Sequence, residues 1–363
     1  MRILPILASL TLLSASLNAS AQQTRLLTAD KHNEYGLVYS LPVTAIEVRV
    51  TATRTTLIAG PYAKYAKKYL ASDKPIIQSG ESWEIESLTV RPYGAVEPDA
   101  QYLMQLKPGA TTYMAVAQDG MLLSINAAPP ATDDIMVAER PAAPVNRLTG
   151  KEYLKYVNED FIASQSTAKQ AEMLAESIME VRDAYLSLTR GTADNMPTDG
   201  RQLELMLNSL REQEEAMTAA FLGSSYTETL TRTYTYIPES DEDDFSDTLL
   251  RFSDFKGFCA PGDYAGAPVT VRVNVTARGQ LPVDDKGMEK QLPKDAVRYC
   301  IPGEAQITIA YEGETLFNKE MEFAQFGVVF GLAPNLFSDR KASSYAIFNP
   351  VTGGLSSLGI VQQ

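Results

Sequence analysis

The chain has 363 residues, 45% apolar and 21% charged, which fits a soluble globular protein of two or three domains and excludes a disordered or largely membrane-embedded one. A net charge of −13 and a pI near 4.7 argue against nucleic acid or an anionic lipid surface as the main partner. One histidine and two cysteines leave little material for the commonest catalytic and metal-binding constellations.

Met1-Arg2 is a short positive start, followed by an uncharged apolar run from Ile3 to Leu17 and the A-x-A pattern Ala19-Ser20-Ala21. This is the pattern of a cleaved secretory signal at 1–21, too short to remain as a membrane span. No cysteine follows the run to accept a lipid. The expectation is an exported protein of the periplasm, cell surface or medium. Removing 21 residues from 363 leaves 342, and losing Arg2 takes the charge from −13 to −14.

A β-rich region is expected over 22–127. Ile46, Val48 and Val50 alternate with Glu47, Arg49 and Thr51, the period of a half-buried strand. Gly60-Pro61 opens a short helix with Tyr62, Tyr65, Ala66 and Tyr69 on one face and Lys64, Lys67 and Lys68 elsewhere. Further strands are predicted over 82–88, 102–106, 113–116 and 121–125. The Pro/Ala-rich stretch 128–150 reads as a linker.

The region 151–224 carries the strongest periodicity. Thr167 with Gln170 reads as a capping box, after which Leu174, Ile178, Val181, Tyr185 and Leu188 recur at helical spacing. Gly191 ends that helix. Asp199 with Gln202 opens a second, with Leu203, Met206, Leu210, Met217 and Phe221 as its stripe and Gly223 as its stop. The short connection predicts antiparallel packing. From 225 to 363 the alternation returns, with Val269, Val271, Val273 and Val275, then Ile307 and Ile309 before a Glu312-Gly313 hairpin turn. The fold class expected is α+β, two β-rich domains separated by an antiparallel helical hairpin.

Two segments echo each other. Tyr39-Ser-Leu-Pro42-x-x-Ala45 and Tyr299-Cys-Ile-Pro302-x-x-Ala305 both lead into alternating strand. Gly120-Met-Leu-Leu-Ser-Ile125 and Gly353-Gly-Leu-Ser-Ser-Leu358 follow them. The apolar parity after the first motif is offset by one residue between the halves. A duplication is the hypothesis this raises.

Tyr39-Ser-Leu-Pro42, Gly60 to Leu70, Asp194-Asn-Met-Pro-Thr-Asp-Gly200, Ala324-Gln-Phe-Gly327 and Phe348-Asn-Pro-Val-Thr-Gly353, in that order, resemble an exported Bacteroidetes family known as domain of unknown function 4831. The resemblance covers nearly all of the mature chain. It implies an envelope location and brings no activity and no catalytic residue.

Cys259 and Cys300 reach an oxidising compartment after export, so a disulfide between them is expected, closing a 41-residue separation worth about 4 kcal/mol in the loop-entropy picture. The competing reading is two buried free thiols. His32, the single histidine, lies near the mature N-terminus. No G-x-S-x-G, H-E-x-x-H, P-loop or G-x-G-x-x-G sequence occurs, so no catalytic, cofactor-binding or metal residue is assigned. The acidic run Glu239 to Asp244 lacks the glycine of a calcium loop and reads as a solvated loop. Tyr62, Tyr65 and Tyr69 with Lys64, Lys67 and Lys68 form a candidate ligand surface for an acidic glycan, against the alternative of core packing. Trp83 is weighed in the same way. Asp247-Thr248-Leu249 matches a short O-glycosylation acceptor on Thr248. The function expected is a non-catalytic binding or structural module for an envelope protein or glycan. A carboxylate-dependent glycosidase-like hydrolase and an accessory factor docking through the helical hairpin stand as alternatives.

Overall fold

The computed structural model describes residues 25–28, 37–104, 112–131, 148–293, 296–337 and 343–361. The signal segment, His32 and most of the expected linker lie outside these residues. No described helix is long and apolar enough to cross a membrane.

In chain order the strands are β1 (Arg25–Thr28), β2 (Leu37–Ile58), β3 (Gly80–Met104), β4 (Tyr113–Val116) and β5 (Leu122–Ile125). After the helices come β6 (Ser224–Tyr236), β7 (Asp244–Ser253), β8 (Gly257–Cys259), β9 (Ala267–Ala277), β10 (Val297–Tyr311), β11 (Glu314–Leu332), β12 (Ser344–Phe348) and β13 (Leu355–Ile360). They form three sheets, ordered β3-β2-β6, β11-β10-β9-β7-β8 and β1-β4-β5-β12-β13.

The alternation read from the sequence decides the main core. Ile46, Val48, Val50 and Ala52 of β2 point to one side of the three-stranded sheet. They meet Phe252, Val269, Val271, Val273, Ile307, Ile309 and Phe323 of the facing five-stranded sheet. Two sheets laid face to face bury both apolar faces at once, a β-sandwich. Glu47, Arg49, Thr51 and Thr53 take the opposite face of β2 because successive side chains alternate. A second core forms where the ends of the β2–β3 and β10–β11 hairpins meet the third sheet. It contains Tyr39, Leu41, Tyr299, Phe330, Phe337 and Phe348.

Strands from the two sides of the helical region share two of the three sheets. β6 pairs with β2 from Ile46↔Tyr236 to Ile58↔Ser224, and β12 pairs with β5 at Ala346↔Ile125. The expected picture of two separate β-rich units is therefore coarser than the structure. A strand apolar on one face still needs hydrogen-bonded neighbours on both edges, and β2 finds one in β3 and the other in β6. Sequence alternation specifies which face is buried and is silent on which strand lies alongside.

The two echoing segments share a local geometry. In β2–β3, the step Ser40 to Pro42 faces Gln101 to Val96. In β10–β11, Ile301 to Gly303 faces Val328 to Phe323. Each is a two-residue advance opposite a five-residue one. Measured from the tyrosine, the step falls one residue later in the second segment, which accounts for the parity offset. Each segment is also tethered alike: Ser40 N–H donates to Gly120 O at 2.9 Å and Cys300 N–H to Gly353 O at 3.1 Å.

The helices are α1 (Ala66–Leu70), α2 (Glu159–Ala163), α3 (Thr167–Arg190) and α4 (Gly200–Leu222). Arg182 meets Glu214 and Tyr185 meets Arg211, so residue numbers climb on α3 as they fall on α4, the antiparallel arrangement. The N-cap of α3 is Ser166, one residue before the expected Thr167, and its hydroxyl accepts from Lys169 N–H. Gln170 instead donates to the carbonyls of Phe161 and Ser164, tying α2 to α3. Asp199 and Gly191 cap as expected. The base of the pair is the better covered: Leu174, Ile178, Met217 and Phe221 are buried there, whereas towards the tip Leu188 is buried and Leu205 is 63% exposed. Gly60 lets β2 run directly under α4, since a Cβ there would lie 2.7 Å from Ala220 O.

Candidate functional site

The sequence-derived candidates separate in space. Tyr62 is buried, with Tyr153, Phe161 and Phe221 around its ring at 5.8–6.2 Å and its hydroxyl donating to Gln170 Oε1 at 3.2 Å. It belongs to the helical core, so it takes no part in a ligand surface. Tyr65 and Tyr69 are half-buried against the same core. Lys67 pairs with Asp73 at 2.8 Å, and Lys68 lies over the Tyr69 ring at 4.6 Å, while Lys64 is exposed. The lysines therefore rim the helical core instead of lining a recess.

Cys259 and Cys300 are both free and buried, which overturns the expected disulfide. Cys259 ends β8 at one edge of its sheet, and Cys300 is in β10, three strand positions away. At about 4.8 Å per step the backbones are on the order of 14 Å apart, beyond the ~7 Å a disulfide tolerates. An even cysteine count in an exported chain signals pairing only where the strand order brings the two together. Burial pushes the Cys300 thiol up to about 12, so it stays protonated.

The acidic run is held by arginines of one strand region. Arg278 donates to Asp243 Oδ1 at 2.7 and 2.9 Å, and Arg272 Nε to Asp244 Oδ1 at 2.8 Å. The hydrogen bond from Arg272 lowers the Asp244 pKa. Thr248 is exposed on β7, next to Asp247, whose carboxylate accepts from Tyr236 at 2.5 Å. Trp83 covers one end of the sandwich, stacked edge-on to Phe258 at 6.5 Å with the Arg54 guanidinium 5.5 Å from its centre.

Three segments singled out in the sequence, 39–42, 324–327 and 348–353, converge although some 300 residues separate the first from the last. Their meeting point is Thr44. Its N–H donates to Gln325 Oε1 at 3.1 Å and its carbonyl accepts from Gln325 Nε2 at 3.0 Å. Its hydroxyl donates to Val351 O at 3.1 Å and accepts from Ala324 N–H at 3.0 Å. Gln325 thus stands in for a neighbouring strand where the β-ladder is interrupted. A cavity of about 260 Å³ opens beside it, lined by Leu41, Pro42, Tyr102, Cys300 and Gly327 among others. With a protonated thiol and a fully engaged amide, this joint holds these segments together and has no poised nucleophile.

The open surface of the sandwich lies elsewhere. Among the described strands β6 has β2 as its single neighbour over 13 residues. Its outward residues are Thr227, Thr229, Thr231, Thr233 and Thr235, opposite Thr55, Thr53, Thr51, Arg49 and Glu47 of β2. A threonine-rich face is well suited to exposed strand. Among the described strands none pairs with the far edge of β6, and an edge strand is where a further chain can add. Sequence reading registered the strand and could not register its edge position, which depends on pairing.

The chain belongs to the family described as domain of unknown function 4831, whose profile matches residues 35–356. Among curated proteins and among solved structures nothing matches it.

Proposed function

We propose that this member of the family is an exported envelope protein that works as a non-catalytic recognition or structural module for a protein or glycan partner. The observation that supports this reading is β6 itself, a 13-residue strand with β2 as its single neighbour among the described strands and a hydroxyl-rich face. A partner strand can add its main-chain hydrogen bonds to such an edge, and its side chains can select by contact with the threonines. The test is capture of envelope components and a glycan array, each with wild type and with the Thr227→Lys/Thr229→Lys double variant. Capture lost in the variant supports the reading. Turnover of a polysaccharide or peptide by purified protein, abolished by one Asp→Asn or Glu→Gln change, would refute it.

A second reading, docking through the helical hairpin, draws on the exposure of Leu186, Leu205 and Met206 on the outer half of α3 and α4. Of the α3 stripe, Leu174 and Ile178 are buried at the base and Val181 is half-buried. The outer half is the part such docking would use.

A further inference from the structure

Among the described residues the two most exposed aromatics lie in neighbouring loops at a corner of the sandwich. Phe255 in the β7–β8 turn is 80% exposed, and Tyr264 in the β8–β9 loop is 81% exposed. Exposed aromatics on loose loops are ordinary. These loops are braced. Lys256 Nζ reaches Asp263 Oδ2 at 3.2 Å and fastens one loop to the other. Asp263 also accepts from Ala265 N–H at 3.0 Å, and Phe255 N–H donates to Ser253 Oγ at 3.3 Å. The Arg251 guanidinium donates to Gly266 O at 3.1 Å and lies 4.4 Å from the Tyr264 ring centre, covering one face and leaving the other outward. Beneath the turn, Trp83 N–H donates to Asp254 O at 2.7 Å.

We infer that Phe255 and Tyr264 form a stacking platform for a neutral pyranose oligosaccharide. The apolar face of a pyranose is a row of C–H groups, slightly positive, and it complements the negative face of an aromatic ring. A guanidinium on the back of Tyr264 fixes that ring before the ligand arrives, which lowers the ordering cost of binding. Asp254, Lys256 and Asp263 at the rim offer acceptors and donors to sugar hydroxyls. Arg251 and Lys256 balance Asp254 and Asp263 at the tip, so it offers no net positive charge to an acidic glycan or an anionic lipid surface, and the chain's charge of −13 repels both. The site goes beyond the β6 reading and does not depend on it.

Trp83, the chain's single tryptophan, gives a built-in reporter, because a Cβ at Gly257 of the same turn would lie 2.5 Å from its ring. The full mature chain is titrated with neutral hexasaccharides of glucose, mannose, xylose and N-acetylglucosamine, following Trp83 emission and heat. Polygalacturonate and phosphatidylglycerol-containing vesicles run in parallel, and self-association is measured by sedimentation. A saturable response to at least one neutral hexasaccharide is expected, weakened about tenfold or more in Phe255→Ala and in Tyr264→Ala. Both variants should melt as wild type does, since neither ring is buried. The Thr227→Lys/Thr229→Lys variant should bind the sugar unchanged, which separates this site from the β6 edge. No response across the neutral panel would overturn the inference, as would affinity retained in both aromatic variants. So would an aromatic-dependent response to polygalacturonate, to vesicles or to a second copy of the chain in place of the neutral sugars.

Discussion

Replacing Gln325 tests whether one side chain joins the β2–β3 and β10–β11 hairpins. In Gln325→Met the stem is kept and the amide is lost, so packing changes little and hydrogen bonding changes a great deal. Thr44, fully buried, is left with an unpaired N–H and an unpaired carbonyl, and Pro238 loses the donor it accepts from at 3.2 Å. An orphaned buried polar group costs about 1–3 kcal/mol. Gln325 itself is only half-buried, so water recovers part of that, and about 3 kcal/mol in total is the expected loss. For a chain of this length that corresponds to a Tm about 4 °C lower. Urea unfolding should show the midpoint falling with an unchanged slope. Adding Thr44→Val removes the Oγ1 bonds to Val351 and Ala324 and should cost less in the Gln325→Met background than alone, because Ala324 adjoins Gln325 and both changes loosen the same contact. A Gln325→Met protein as stable as wild type, or strict additivity of the pair, would refute the account of the joint.

Purified protein kept free of reductant should yield two reactive thiols after denaturation and almost none before it; a native disulfide would yield none in either state. Ile178→Asp places a charge among fully buried residues and should destabilise by about 3–5 kcal/mol, whereas Leu205→Asp on the exposed half of α4 should leave the Tm unchanged; equal effects would show that the hairpin is covered along its whole length. Gly257 has φ +69°, so Gly257→Ala should destabilise by about 1–3 kcal/mol and shift the Trp83 emission maximum, and an unchanged spectrum would exclude the contact. Asp244 has a folded pKa below its unfolded value through Arg272, so its contribution is present at neutral pH and lost as pH falls through the depressed folded value. Arg272→Ala should raise the Asp244 carboxyl titration toward the ordinary range, measured by carbon-detected NMR.

What could be read from the sequence was whatever depends on periodicity and local chemistry. The β2 and β9 alternations, the α3 stripe and the Glu312-Gly313 turn, both residues at positive φ, follow from residues close together in the chain. The burial of Tyr62 was the alternative set beside a ligand surface, and helical spacing alone could not decide between them. The disulfide expectation rested on composition and compartment, which carry no distance. The Thr44–Gln325 joint gave no local signal, because a threonine and a glutamine some 280 residues apart look like ordinary strand residues. The braced pair Phe255 and Tyr264 was equally hidden: what sets those aromatics apart is exposure with fixed geometry, and both depend on the neighbouring loop.

The pairing of β2 with β6 also bears on what the helical region does. Ile58 and Ser224 are the last paired residues of that ladder, and the chain leaves β2 and re-enters β6 at the same end of the sheet. The helical region itself begins and ends there, since a Cβ at Gly150 would lie 2.6 Å from the Ile58 side chain and one at Gly223 2.6 Å from Ile58 O, and an antiparallel pair of similar helices makes that return with no net displacement. α3 and α4 have 24 and 23 residues, so their rises nearly cancel. Gly223, where a Cβ would lie 2.6 Å from Ile58 O, and Gly60 against Ala220 O let the two ends approach closely. The base of the hairpin is thus fixed by the sheet, and its length beyond the buried Ile178 and Met217 is free of that constraint. Changes in the outer half would alter the reach of the projection while leaving the sandwich, the β6 edge and the aromatic corner in place.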